Sequence, residues 1–256
     1  MSATPDVISL RGKSALVTGA TRGIGHAIAV ALARAGANVV INSRKPDAVE
    51  RTVQEIRASG GCAEGVPAHV GRSDEAHGLV DRAAELLGGL DIVVNNAAVN
   101  PVFGAIEATS EEAFDKIIAV NLKGPFEIAR RALPHLRSRG GGTILNVASM
   151  AGIRPEPMLG IYSVSKAALI SLTRVMAKDW GPSNVRVNAI CPGLIQTDFS
   201  APLWRDDHIR ARILQRQALQ RVGAPEEVAR LALFLVSDAA GFCTGGIYTV
   251  DGGYTA

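Results

Sequence analysis

Ser14-Ala15-Leu16-Val17-Thr18-Gly19-Ala20-Thr21-Arg22-Gly23-Ile24-Gly25 is the stretch from which the fold is read. Residues 14–18 have the apolar run of a short buried strand. A glycine turn follows, and an alanine-rich helix is expected over about residues 26–35. Strand, glycine turn and helix form the setting in which backbone can approach a pyrophosphate and a helix N-terminus can offer it unpaired N–H groups. The spacing is Gly-x-x-x-Gly-x-Gly rather than the commoner G-x-G-x-x-G. His26, just beyond the turn, is expected on the helix surface or in packing.

Working outward, the same alternation continues along the chain. Strands are expected at residues 38–42, 63–70, 91–95, 143–148, 185–190 and 246–250, with helices at 47–59, 73–87, 162–180 and 224–237. Strands alternating with helical segments imply parallel pairing with helical crossovers. Thr109 and Glu112 have capping-box spacing. The helix after them is expected to reach about residue 139, bent or interrupted at Gly124-Pro125 and Pro134. Residues 154–157, Arg-Pro-Glu-Pro, read as a stiff loop. Residues 194–217 lack a clean period and contain Phe199, Leu203 and Trp204, so a mobile lid over an apolar substrate is expected there. The whole chain, 1–256, reads as a single dinucleotide-binding domain carrying that lid.

Three features suggest chemistry at the carboxyl ends of the strands, where open α/β sheets place ligands. Ser43-Arg44-Lys45 follows the second strand, where an acidic residue would accept from a ribose 2′-hydroxyl. A guanidinium beside a hydroxyl suits a 2′-phosphate instead. Arg22 adds a second positive charge, and NADP is favoured over NAD. Ser149 ends the fifth strand, and Tyr162 and Lys166 are four residues apart on an expected helix, so they share a face. A phenol has a reference pKa of about 10, and a nearby ammonium favours its ionised form. The pair is therefore a candidate proton-transfer device, with Ser149 beside it.

Thr18-Gly19-x-x-x-Gly23-x-Gly25, Asn95-Asn96-Ala97, Asn121, Ser149, Tyr162-x-x-x-Lys166 and Pro192-Gly193, in that order, resemble the short-chain dehydrogenase/reductase family over nearly the whole length. The resemblance implies a Rossmann-type, three-layer α/β/α fold with a doubly wound sheet of seven parallel strands, and a homotetramer. It implies NADP(H) as cofactor and a small carbonyl or alcohol substrate. Tyr162 would then be the general acid in reduction, and Lys166 would lower its pKa and hold the nicotinamide ribose. Ser149 would bond the substrate oxygen, and the main chain of Asn121 would hold a water behind Lys166. The cofactor positions it implies are Gly19, Thr21, Arg22, Gly23, Ile24, Gly25, Ser43, Arg44, His69, Val70, Asn96, Ala97, Tyr162, Lys166, Pro192, Gly193, Ile195 and Thr197. Within the family, Ser43-Arg44-Lys45, His69-Val70-Gly71 and Phe199-Ser200 look like the NADP-dependent retinal and carbonyl reductase branch. Two positions depart from the wider pattern. Ala98 stands where many members have glycine, and His69 where many have an aspartate beside the adenine. His69 stacks on or hydrogen-bonds the adenine, or it fills a strand end. Phe103, Met150, Leu194 and Trp204 are the expected wall of an apolar substrate pocket. A 3-oxoacyl-thioester reductase uses the same catalytic set, and a non-catalytic dinucleotide-binding module is the reading from another class.

Composition bounds these readings. The chain has 256 residues, is 47% hydrophobic and carries a net charge of +3 without a basic block, which argues against a nucleic-acid partner. Cys62, Cys191 and Cys243 are odd in number, scattered, and without metal-ligand spacing, so no metal is expected and a reducing compartment fits. Cys191 reads as structural. Residues 1–13 lack the apolar core of a secretory signal, and the ending is not a peroxisomal address, so the cytoplasm is the expected location.

Overall fold

The computed structural model describes residues 8–256. For residues 1–7, the expectation about a signal segment lies outside the described residues. The strands are β1 (Ser14–Val17), β2 (Asn38–Ile41), β3 (Cys62–Gly65), β4 (Ile92–Asn95), β5 (Gly142–Val147), β6 (Val185–Pro192) and β7 (Ile247–Val250). The helices are α1 (Gly23–Arg34), α2 (Pro46–Ala58), α3 (Ser73–Leu87), α4 (Glu111–Ile118), α5 (Gly124–Ser138), α6 (Gly160–Trp180), α7 (Ala201–Trp204), α8 (Asp207–Leu214) and α9 (Pro225–Val236). All seven strands pair parallel in one sheet of order β3-β2-β1-β4-β5-β6-β7.

The pleat sorts the strand residues into two cores. Ala15, Val17, Val39, Ile41, Ile92 and Val94 face α1, α2 and α9. Leu16, Val40, Val93, Ile144 and Val187 face α3, α5 and α6. Both faces are covered by helices, which is why the strands read as continuous apolar runs rather than alternating ones. The strand order reverses between β1 and β4, and their carboxyl ends open a crevice there.

Four expectations are corrected. β3 ends at Gly65 instead of reaching Val70. Beyond Gly65 the N–H groups of Val66 and Ala68 still donate to the carbonyls of Ile41 and Ser43, and the Asn42 carboxamide adds bonds to the carbonyls of Val66 and Ala68 at 3.0 and 3.3 Å, so the segment is led on toward the crevice. The cap of α4 is Ser110, whose hydroxyl accepts from the Ala113 N–H, rather than Thr109. The long helix expected to residue 139 is broken earlier than its prolines, by a wide turn of π-helix at Ala119–Lys123 between α4 and α5. Pro134 lies within α5 without ending it. Residues 194–217 contain two short helices, α7 and α8, where no periodic element was expected. Among the described residues no helix is long and apolar enough to cross a membrane.

Candidate active site

The crevice is a cleft enclosing about 1520 Å³, counting its open mouth. Its lining joins the glycine turn at residues 19–25 to an apolar wall around Tyr162 and Phe199, so one continuous groove runs along the carboxyl ends of the strands. All the sequence-expected cofactor positions line it, as do Ser149, Tyr162 and Lys166. Asn121 does not. Asn42, Ala68, Val99, Leu159, Asp198 and Ser200 also line it and were missed, because nothing in their residue type signals a ligand.

At one end the glycine turn forms a cradle. Gly19 has φ +62°, and a Cβ there would lie 2.9 Å from the Ala97 Cα. Gly23 has φ +56°, and a Cβ there would lie 3.1 Å from the Thr197 methyl. Asn96 holds the turn by donating to the carbonyls of Thr18 and Gly19, at 2.9 and 3.0 Å. The Thr18 hydroxyl accepts from the N–H groups of Asn96 and Ala97, which ties β1 to β4 across the crevice. Arg22 is the N-cap of α1 and makes no side-chain cap bond, so the first N–H groups of the helix are open toward the cleft. An open helix N-terminus behind a turn with no room for side chains fits a pyrophosphate. Gly23→Ala is expected to lower stability by about 1–2 kcal/mol from its left-handed backbone alone. It should also weaken dinucleotide binding, read by thermal unfolding and fluorescence titration.

At the other end Ser149 follows β5, and α6 presents Tyr162 and Lys166, which are 8% and 2% exposed. The Lys166 ammonium lies 5.7 Å from the phenol ring centre and donates to the Val147 carbonyl at 2.9 Å. Burial pushes the Tyr162 phenol up to about 12, with the Ser149 hydroxyl offsetting part of that. Burial likewise pushes Lys166 down to about 8. The expectation that the ammonium lowers the phenol's pKa is therefore not met in the protein alone. The ammonium is aimed at a carbonyl rather than at the phenol oxygen, and desolvation of the phenolate dominates. The arrangement holds a neutral phenol, a proton donor, beside a cation near neutral pH. Cys191 is fully buried, and burial pushes its thiol up to about 11, in keeping with a structural role.

The Lys166 shift has a testable sign. Its folded pKa, about 8, lies below its ordinary 10.5. Between those values the unfolded chain binds more protons at this side chain, so its contribution to stability rises with pH. Tyr162 and Cys191, raised above 10.0 and 9.0, act in the opposite direction at high pH. The difference between wild type and Lys166→Met isolates the effect. Wild type is expected to gain stability on the variant from pH 8 to about 10.5, read from urea midpoints.

Asn121 is fully buried in the π-helical turn. Its carboxamide accepts from the Val99 N–H and donates to the Val99 carbonyl and to Ser165 Oγ. Ser165 in turn donates to the Tyr162 carbonyl at 2.7 Å. The side chain thus braces the backbone of Tyr162 through Ser165. His69 Nδ1 accepts from the Gly71 N–H at 3.1 Å, and His69 lines the cleft. His26 lies on the surface of α1, its ring nitrogen 3.0 Å from Glu55.

Phe103, Met150, Leu159, Leu194, Phe199 and Leu203 line the space next to Tyr162. The Phe199 ring lies 5.9 Å from the phenol ring. Trp204 is not part of this wall: its indole donates to the Thr197 carbonyl, which turns the ring onto the lid itself. Asp198, in the same segment, reaches across to Arg22 at 3.9 Å.

Residues 19–255 match the family model described as Enoyl-(Acyl carrier protein) reductase. The chain is 44% identical over 244 residues to dehydrogenase/reductase SDR family member 4 of Oryctolagus cuniculus, covering 95% of this chain and 94% of the relative. A putative short-chain alcohol dehydrogenase from Sinorhizobium meliloti superposes with a TM-score of 0.93 at 38% identity, over 98% of this chain and 99% of that one. A short-chain dehydrogenase from Burkholderia cenocepacia in complex with NADP superposes with a TM-score of 0.90 at 36% identity, over 96% and 99%.

Proposed function

The chain belongs to the short-chain dehydrogenase/reductase family, and from that premise we propose that it reduces apolar ketones or aldehydes with NADPH, and reversibly oxidises the corresponding alcohols. It is an oxidoreductase that uses a nicotinamide dinucleotide. The observation that carries the finer reading is the placement of Ser149, Tyr162 and Lys166 at the apolar end of a cleft whose other end is the glycine cradle.

NADPH supplies the hydride when bound, and this chain's residues handle the oxygen. Gly19, Thr21, Arg22, Gly23, Ile24 and Gly25 would hold the pyrophosphate. Ser43 and Arg44 would take the 2′-phosphate, and His69 and Val70 the adenine. Asn96, Ala97, Lys166, Pro192, Gly193, Ile195 and Thr197 would hold the nicotinamide half. Tyr162 donates its phenolic proton to the carbonyl oxygen. Ser149 donates a second hydrogen bond to it, so two donors meet the charge that grows there in the transition state. Lys166 holds its charge near neutral pH, 5.7 Å from the ring on which the phenolate is left. Phe103, Met150, Leu159, Leu194, Phe199 and Leu203 exclude water and favour an uncharged substrate.

NADPH absorbance with a panel of aromatic, aliphatic and acyl-thioester carbonyl compounds tests the reading. Turnover of free ketones supports it. Turnover confined to acyl-carrier thioesters would favour the thioester-reductase reading, which the description of the matching family model keeps in view. Tight NADPH binding with no turnover would favour a non-catalytic module. We further propose a homotetramer, a cytoplasmic location and a single domain over 1–256, with 194–217 acting as a lid.

A further inference from the structure

Three segments far apart in the chain meet at one carboxylate beside the substrate end of the cleft. Glu156 lies in the loop that feeds α6, three residues before Leu159, which lines the cleft and packs against Tyr162. One Glu156 oxygen accepts from the Tyr254 hydroxyl at 2.5 Å, and the other accepts from Arg216 at 2.9 Å. The Arg216 guanidinium also lies 4.8 Å from the centre of the Tyr254 ring. Tyr254 is 1% exposed, and the Glu156 side chain is 16% exposed. The Tyr254–Glu156 bond is thus sheltered, and the Arg216 side chain, 39% exposed, closes it off from outside.

The loop that it grips is otherwise under strain. Met158 has φ +70°, a region that non-glycine residues rarely occupy. Such a conformation persists only where the surroundings over-determine it. Gly104 donates to the Met158 carbonyl at 3.2 Å and bridges to Leu159, so the loop is fixed on its inner side as well. Glu156 supplies the outer hold. Pro155 and Pro157, flanking it, leave the backbone few other ways to comply. Neither Glu156, Arg216 nor Tyr254 lines the cleft.

We propose that Glu156, Arg216 and Tyr254 are positioning residues that set Leu159 against Tyr162 and so fix the substrate wall, without touching substrate or cofactor. The inference rests on the reading of Tyr162 as the acid. Its direct consequence is that the C-terminal tyrosine and the far end of the 194–217 segment act on carbonyl turnover through one carboxylate.

The test compares wild type, Tyr254→Phe, Glu156→Gln, Glu156→Ala and the Tyr254→Phe/Glu156→Gln double variant. An apolar aryl ketone is the substrate, and NADPH affinity is measured in parallel by fluorescence. A misplacement near 1 Å is enough for losses of up to 10²-fold, so kcat/KM is expected to fall roughly tenfold or more. NADPH affinity should stay at the wild-type value. Glu156→Gln, which keeps an acceptor for the tyrosine, should be milder than Glu156→Ala. The double variant should be no worse than its worse single parent, because both changes release one hold. Active wild type with unchanged variants overturns this inference alone. So does a parallel loss of NADPH affinity, which marks a general loosening of the fold. Wild type without carbonyl turnover overturns both this inference and the proposed function.

Discussion

Tyr162→Phe is expected to lower turnover of a carbonyl substrate by roughly 10²–10⁴-fold, the usual contribution of a positioned acid–base group. The substitution removes one hydroxyl and keeps the ring that packs on Leu159 and Ala151. The fold and the dinucleotide end of the cleft should therefore be unaffected. What is lost is specific: the proton for the substrate oxygen, and one of two donors aimed at a charge that exists only in the transition state. Ser149 remains, so residual activity is expected. The loss should appear in kcat with NADPH affinity intact, read by single-turnover absorbance and fluorescence titration. Because burial holds the Tyr162 phenol near 12, its proton is present throughout the neutral range. The reductive direction should decline as Lys166 loses its charge above about pH 8. Turnover that survived the substitution unchanged would refute the assignment of Tyr162 as the acid.

Arg44→Ala is expected to weaken NADPH by about 1.5–3 kcal/mol, the range of a hydrogen bond to a charged group. At about 1.4 kcal/mol per tenfold, that is roughly a 10- to 150-fold rise in Kd. NADH should be nearly unaffected, since it lacks the phosphate. Arg44 lies three residues beyond the end of β2, is exposed, and lines the cleft beside Ser43. Arg22 is the other cation at this end, but it already faces Asp198. Its contribution is expected to be the smaller of the two, and to sharpen if Asp198 is neutralised. Equal losses for NADPH and NADH would contradict the placement of the 2′-phosphate.

Much of the site was legible because its residues mark themselves. Gly19 and Gly23 announce a backbone that no side chain can adopt or accompany, and their positive φ values agree. Arg44 stands where an acidic residue would otherwise be expected. Tyr162 and Lys166 share a helix face whatever surrounds them. Other features lack such a mark. Asn42 reads as the last residue of a strand, yet its carboxamide also bonds the backbone 24 and 26 residues on. Trp204 reads as pocket wall from its size alone, but one hydrogen bond to Thr197 turns it away. The π-helical turn around Asn121 has no signature in residue type, and its hydrogen bonds reach Val99 and Ser165, 22 and 44 residues away.

By itself the sequence determined the alternation of strands and helices, the glycine cradle, and which residues are candidates for the acid, its cation and the phosphate-facing arginine. These follow from local rules: periodicity, backbone freedom at glycine, and side-chain chemistry at fixed spacing. Only the tertiary structure decided which way the phenol's acidity is pushed, that Asn121 braces Tyr162 through Ser165, and that Tyr254 reaches Glu156 across 98 residues of chain. Desolvation and long-range hydrogen bonds depend on what the fold packs around a group, and no local spacing encodes that.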